Sequence, residues 1–135
     1  LEKQYPDLTF TIQANKVRLT DQLDALDQEL TTLAQNSDNK YLLAAHPAFA
    51  YFCKDYGLTQ LSLEVEGSEI SPQELTHLIK VVEDKEIGTI ITQPQYFPQA
   101  SQAVAQKLNL ETTSINPYEE DYFANMDKLK TYIGN

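Results

Sequence analysis

Between residues 40 and 133 short apolar runs alternate with segments of helical spacing, and few folds accept that order. Strands are expected over Lys40–Ala45, Gln60–Val65, Gly88–Thr92 and Glu111–Ile115, with helices over Pro47–Tyr56, Pro72 onward, Pro98–Leu108 and Asp121–Ile133. Gly57 marks the end of the first helix, and Ser71-Pro72-Gln73-Glu74 opens the second with a capping box, a Pro at the first helical position, and Leu75, Leu78, Ile79 and Val82 behind it. Strand and helix in strict alternation, joined by right-handed crossovers, specify an α/β fold: a four-stranded parallel sheet flanked by helices.

Ahead of this unit, Leu8, Ile12, Leu19, Leu23, Leu26, Leu30 and Leu33 recur mostly at three- and four-residue steps among Asp, Gln and Thr. One helix is expected from about Asp7 to Gln35, ending at the polar stretch 36–39. At 1.5 Å per residue it would be roughly 40 Å long, more than the ~30 Å breadth of a domain of this size, so part of it should overhang. The overhang could bridge to a second lobe, pack on a partner chain, or fray. The leucine stripe does not choose among these, because a core-facing helix carries the same pattern.

The 135 residues suit one globular domain with one core. Ten Lys and Arg against 20 Asp and Glu give a net charge of -10, which repels phosphate backbones and anionic membranes and excludes nucleic acid as the expected partner. Cys53, the single cysteine, permits no intrachain disulfide and no thiolate zinc cluster, and reads as a small buried side chain. No run approaches the roughly 20 apolar residues of a membrane span and no signal peptide is present. Leu1 stands where an initiator Met would, which fits a fragment or a mature form.

Residues that follow parallel strands gather along one rim, where α/β proteins hold their ligands. That rim should carry His46 after the first strand, Glu64 and Glu66 after the second, Gln93 after the third, and Asn116 with Glu119, Glu120 and Asp121 after the fourth. A neutral imidazole beside carboxylate and amide oxygens suits a divalent metal. Each residue also has a plainer reading. His46 could be a hydrogen-bonded packing residue, His77 reads as solvated, and the acidic run 119–121 fits the first turn of the last helix. Phe49 and Phe52 read as core, while Tyr96 and Phe97 could wall a rim pocket or simply pack. Phosphate-binding loops, the HExxH zinc motif and the GxSxG nucleophile elbow are missing. An enzyme reading would make this a small α/β hydrolase or transferase with His46 as general base, oriented by Glu64, Glu66 or Glu119, but no nucleophile accompanies it.

The stretches HPAFAYFCKDYGL and EISPQELTHLIKVVEDKEIGTIITQPQYFPQASQAVAQKLNLETTSINP resemble the C-terminal lobe of the metal-binding receptors of zinc and manganese ABC uptake systems. The resemblance runs from about Tyr5 to Ile133. It implies residues 1–36 as the long helix connecting two lobes, residues 37–135 as the C-terminal α/β lobe, and a periplasmic or cell-envelope receptor rather than an enzyme. It also implies an N-terminal lobe missing from this chain, an ABC permease as partner, and zinc, less favourably manganese, as the ion, which an isolated lobe should hold poorly or not at all. His46 matches the C-lobe histidine ligand. Asn116 stands where the family places a ligating Asp or Glu, and Gln93 where a Glu is common. A neutral amide is the weaker ligand, so Glu119 or Glu120 substitutes, water fills the position, or affinity is lower. The alternative is an interaction module in which the long helix pairs two copies into a homodimer.

Overall fold

The computed structural model describes residues 1–65, 68–96 and 99–134; Glu66, Phe97 and Pro98, named above, lie outside them. The chain divides into two compact units, Leu1–Thr32 and Leu33–Asn135. The first comprises a 3-10 turn over Pro6–Leu8 and most of helix α1, Thr9–Asn36. Of its apolar stripe, Leu26 and Leu30 are buried, whereas Leu8, Leu19 and Leu23 stay exposed together with Phe10 and Val17. No helix among the described residues is long and apolar enough to cross a membrane.

The second unit follows the expected order. Strands β1 (Tyr41–Ala44), β2 (Thr59–Ser62), β5 (Thr89–Thr92) and β6 (Glu111–Ser114) form one sheet in the order β2-β1-β5-β6, with every pairing parallel. Helices α2 (Ala50–Asp55), α3 (Pro72–Asp84), α4 (Gln99–Lys107) and α5 (Tyr122–Gly134) occupy the crossovers and the C-terminus. Successive strand residues face opposite sides, and both sides are covered. Leu43 and Ile90 join Leu78, Val82 and Ala105 in one core cluster, while Leu42, Ala44 and Ile91 are equally buried at the alternate positions. The edge strand β6, Glu-Thr-Thr-Ser, is largely exposed, as its composition requires.

Two devices fix the helix ends and a third ties two strands together. The Ser71 side chain accepts from the Glu74 N–H at 3.3 Å while the Glu74 carboxylate accepts from the Ser71 N–H at 2.8 Å, closing the expected box. Helices α2, α3 and α4 each end on a left-handed residue, Gly57, Glu86 and Asn109, whose successor's N–H reaches back to the last turn: Leu58 to Cys53, Ile87 to Val82, Leu110 to Ala105. Between β1 and β5 the register pairs only Ala44 with Ile91. The Tyr132 hydroxyl bridges the wider part, accepting from the Leu43 N–H at 2.9 Å and donating to the Thr89 carbonyl at 3.3 Å.

Three expected boundaries move. The first crossover helix begins at Ala50, not Pro47, because the Ala48 N–H turns back to the His46 carbonyl and the Phe49 N–H is taken by the Gln60 side chain at 2.7 Å. The second strand leaves the sheet at Ser62: Leu63 bends into the core, and β3 (Glu64–Val65) pairs antiparallel with β4 (Ser68–Glu69) as a separate two-stranded sheet. The last helix begins at Tyr122, so Glu119 and Glu120 precede it, with Asp121 accepting from the Ala124 N–H at 3.0 Å.

Candidate metal centre

The site is built from the carboxyl ends of the strands. β1 runs straight to the rim because the Ala45 N–H continues the ladder onto the Ile91 carbonyl at 2.8 Å, and His46 is the next residue. The bend at Leu63 delivers its partner. The Leu63 N–H donates to the Ala44 carbonyl at 3.2 Å, the Ser62 hydroxyl donates to the Glu64 carbonyl at 2.7 Å, and Glu64 thereby stands beside His46. His46 Nδ1 lies 3.0 Å from Glu64 Oε2; the imidazole side chain is 39% exposed and the carboxylate 7%. The hydrogen bond from His46 holds the Glu64 carboxyl below the usual glutamate range against the opposing effect of burial, and a further hydrogen bond from Tyr96 acts in the same direction.

Tyr96 arrives through the turn Gln93-Pro94-Gln95-Tyr96 at the end of β5. Pro at the second position suits such a turn, which the Tyr96 N–H closes onto the Gln93 carbonyl at 2.9 Å. The Tyr96 ring meets the His46 ring edge-on, 5.1 Å between centroids and 66° between planes. The same turn serves a second cluster. Gln95 Nε2 donates to Asn116 Oδ1 at 3.1 Å, and that oxygen also accepts from the Tyr118 N–H at 3.1 Å. Buried Asn125 brackets the Asn116 backbone, donating to its carbonyl at 2.9 Å and accepting from its N–H at 3.3 Å.

The rim residues therefore fall into two groups joined by one turn. His46, Glu64 and Tyr96 form one; Asn116, Gln95 and Asn125 form the other. Glu119 and Glu120 are exposed beyond Asn116, and the Glu119 N–H closes a turn onto the Asn116 carbonyl at 3.1 Å. Gln93 is buried, and its amide nitrogen has no partner among the described residues. Glu64, expected as one more oxygen donor, has its carboxylate engaged by the imidazole instead. Asn125 and Gln95 escaped the sequence reading because nothing in their spacing sets them apart from ordinary helix and turn amides.

Other candidates fall away from the rim. His77 is exposed and lines a groove of about 490 Å3 with Leu61, Ile70, Leu78 and Val81, which shares no residue with either rim group. Cys53 is buried, and burial pushes its thiol up to about 11, so it is not a thiolate ligand at neutral pH. Among the described residues no three His, Cys, Asp or Glu side chains gather closely enough to hold a metal ion. What the rim offers is one imidazole and neutral or solvent-facing oxygens, which is less than the four donors of a closed zinc site.

Known proteins match the chain over nearly its whole length. The family model of ZnuA, described as the periplasmic component A of zinc-uptake complexes, matches residues 1–134. A Chlamydia muridarum protein provisionally named as metal-binding is 34% identical over 114 residues, 84% of this chain and 41% of that protein. The zinc-binding lipoprotein AdcA of Streptococcus pneumoniae serotype 4 is 30% identical over 145 residues, 95% of this chain and 28% of its own length. A crystal structure of ZnuA superposes with a TM-score of 0.85 at 29% identity, covering 99% of this chain and 51% of that one. The chain thus spans about half the length of that structure and less of those relatives. The parallel sheet, the long leading helix and the end-to-end match agree: this chain belongs to the ZnuA family of zinc-uptake components.

Proposed function

We propose that the chain is the C-terminal metal-binding half of an extracytoplasmic receptor that captures zinc and hands it to an ABC permease. The observation that carries this reading is His46: a partly exposed imidazole at the strand rim, with one ring nitrogen engaged by a buried carboxylate and the other left to a ligand. Binding, not catalysis, is the role such a set can fill, since no nucleophile stands beside the imidazole among the described residues. Zinc is favoured over manganese because the defined donor is an imidazole and the rim amides Asn116 and Gln93 are neutral, whereas manganese prefers carboxylate oxygen. Membership in a family of periplasmic components, and the lipoprotein naming of the pneumococcal relative, support a location outside the cytoplasm.

Asn116, Glu119 and Glu120 are the candidate oxygen donors, and we assign the rest of the coordination to a preceding half outside this chain, which spans about half the length of the ZnuA structure. The exposed Leu8, Phe10, Val17, Leu19 and Leu23 of the first unit are the surface that half would cover. A homodimer through the same residues is the competing arrangement; sedimentation velocity over a wide concentration range separates them, a concentration-independent monomer removing the dimer. The binding reading is tested by calorimetry with zinc at neutral pH. Weak binding, with Kd above about 1 μM, is expected and should vanish in His46→Ala. Zinc binding that is indifferent to His46→Ala would overturn it.

A further inference from the structure

We propose that Glu64 and Tyr96 are positioning residues that lock the His46 imidazole with the proton on Nδ1, so that Nε2 is the atom presented to the metal. This rests on His46 being a ligand, and it adds which atom binds and what aims it.

The argument starts from burial. A carboxylate with 7% exposure needs donors, and those on hand are His46 Nδ1 at 3.0 Å and the Tyr96 hydroxyl. An ionised carboxylate only accepts, so the imidazole nitrogen facing it must carry hydrogen, and in the neutral ring the lone pair is then on Nε2. Glu64 itself is held at its backbone by the Ser62 hydroxyl and by the pairing of β3 with β4, so the acceptor does not follow the ring. Tyr96 restrains the ring from a second direction. Its edge-on contact opposes rotation of the imidazole, and the closed turn at Gln93 keeps the tyrosine in place. A histidine serving only as packing would have both nitrogens satisfied inside the protein; this one keeps 39% of its side chain open, and Glu64 is the one hydrogen-bond partner of its ring among the described residues.

The test is a long-range proton–nitrogen correlation spectrum of the uniformly 15N-labelled chain at mildly alkaline pH, where exposed His77 supplies an internal reference. His46 is expected to show a protonated Nδ1 and an unprotonated Nε2. A protonated Nε2, or signals averaged as in free imidazole, overturns the proposal without touching the zinc reading. In Glu64→Ala the His46 pattern should collapse onto that of His77, and retention of the Nδ1–H form would show that the carboxylate is not what sets it. Because the wild-type spectrum alone already decides the tautomer, a poorly folding variant does not rescue the idea. Adding zinc sulfate should move the Nε2 signal, and Glu64→Ala should weaken zinc binding by roughly ten- to hundredfold. Movement of Nδ1 instead refutes the assignment of the binding atom. If neither nitrogen responds to zinc while the Nδ1–H pattern stands, it is the metal reading that fails, and the role proposed for Glu64 and Tyr96 fails with it.

Discussion

His46 Nδ1 and Glu64 Oε2 lie 3.0 Å apart across the end of the sheet, one side chain partly open to solvent and the other buried. That asymmetry has an energetic consequence separate from ligand binding. Removing the imidazole takes from a buried carboxylate one of its donors, so His46→Ala should lower stability toward urea by about 1–3 kcal/mol. Removing both members leaves no orphaned carboxylate, and the double variant His46→Ala, Glu64→Leu should recover part of the loss. Additive losses in a double-mutant cycle would show that the two side chains do not interact in solution. The stability cost also has to be measured before any loss of zinc binding in His46→Ala is read as loss of a ligand.

Tyr132 makes a second long-range tie whose removal is informative. Its hydroxyl stands between β1 and β5, serving the Leu43 N–H and the Thr89 carbonyl, and burial raises its pKa. Tyr132→Phe keeps the ring and leaves a strand N–H without a partner, an expected cost of about 1–3 kcal/mol. Amide hydrogen exchange at Leu43 should accelerate more than exchange in α3. Unchanged protection at Leu43 would mean that the hydroxyl contributes nothing to joining the strands.

The capping box of α3 supplies a pH dependence. Ser71→Ala should cost about 1 kcal/mol, the usual loss for a helix cap. Hydrogen bonds from Ser71, side chain first and backbone second, lower the Glu74 carboxyl below its ordinary 4.5. A carboxyl whose native value is depressed stabilises the fold fully above its unfolded value, and the contribution is lost as pH falls through the native value. The stability difference between wild type and Glu74→Gln should accordingly be constant above pH ~5 and shrink below pH ~4.5. A difference that grows on acidification would contradict the hydrogen bonds described.

How far residues alone revealed this molecule depends on whether the signal is local. The Ser-Pro-Gln-Glu cap, the alternation of strand and helix that makes a parallel sheet, and buried Cys53 follow from patterns along the chain, and the structure bears them out. The alternation Leu61, Leu63, Val65 reads as one strand, yet the chain bends at Leu63, because alternation does not distinguish a continuing strand from two short ones in different sheets. Pro47 looks like a helix opener, but the Gln60 side chain, a partner from the next strand, takes the Phe49 N–H and delays the helix to Ala50. At the rim, His46, Glu64, Gln93 and Asn116 were legible as strand-end residues. Which of them touch was not, because the Gln93–Tyr96 turn decides it, sending Tyr96 to one group and Gln95 to the other.

Asn116 gives the most direct functional prediction. Its Oδ1 accepts from the Gln95 amide and the Tyr118 N–H, and an aspartate at this position can accept both bonds while offering a second, negatively charged oxygen where the asparagine has its NH2. Asn116→Asp therefore keeps the local turn and replaces a neutral donor by a carboxylate, a better ligand for a divalent ion. Zinc affinity, measured by competition with a chromophoric chelator at neutral pH, should rise on the order of tenfold. The same substitution should improve manganese binding proportionally more, since that ion relies on carboxylate oxygen. In a His46→Ala background the gain should largely disappear, because a single carboxylate retains little of a four-coordinate site. An unchanged affinity in Asn116→Asp, with the turn intact by its amide spectrum, would place Asn116 outside the coordination sphere and leave the oxygen ligands to Glu119, Glu120 or water.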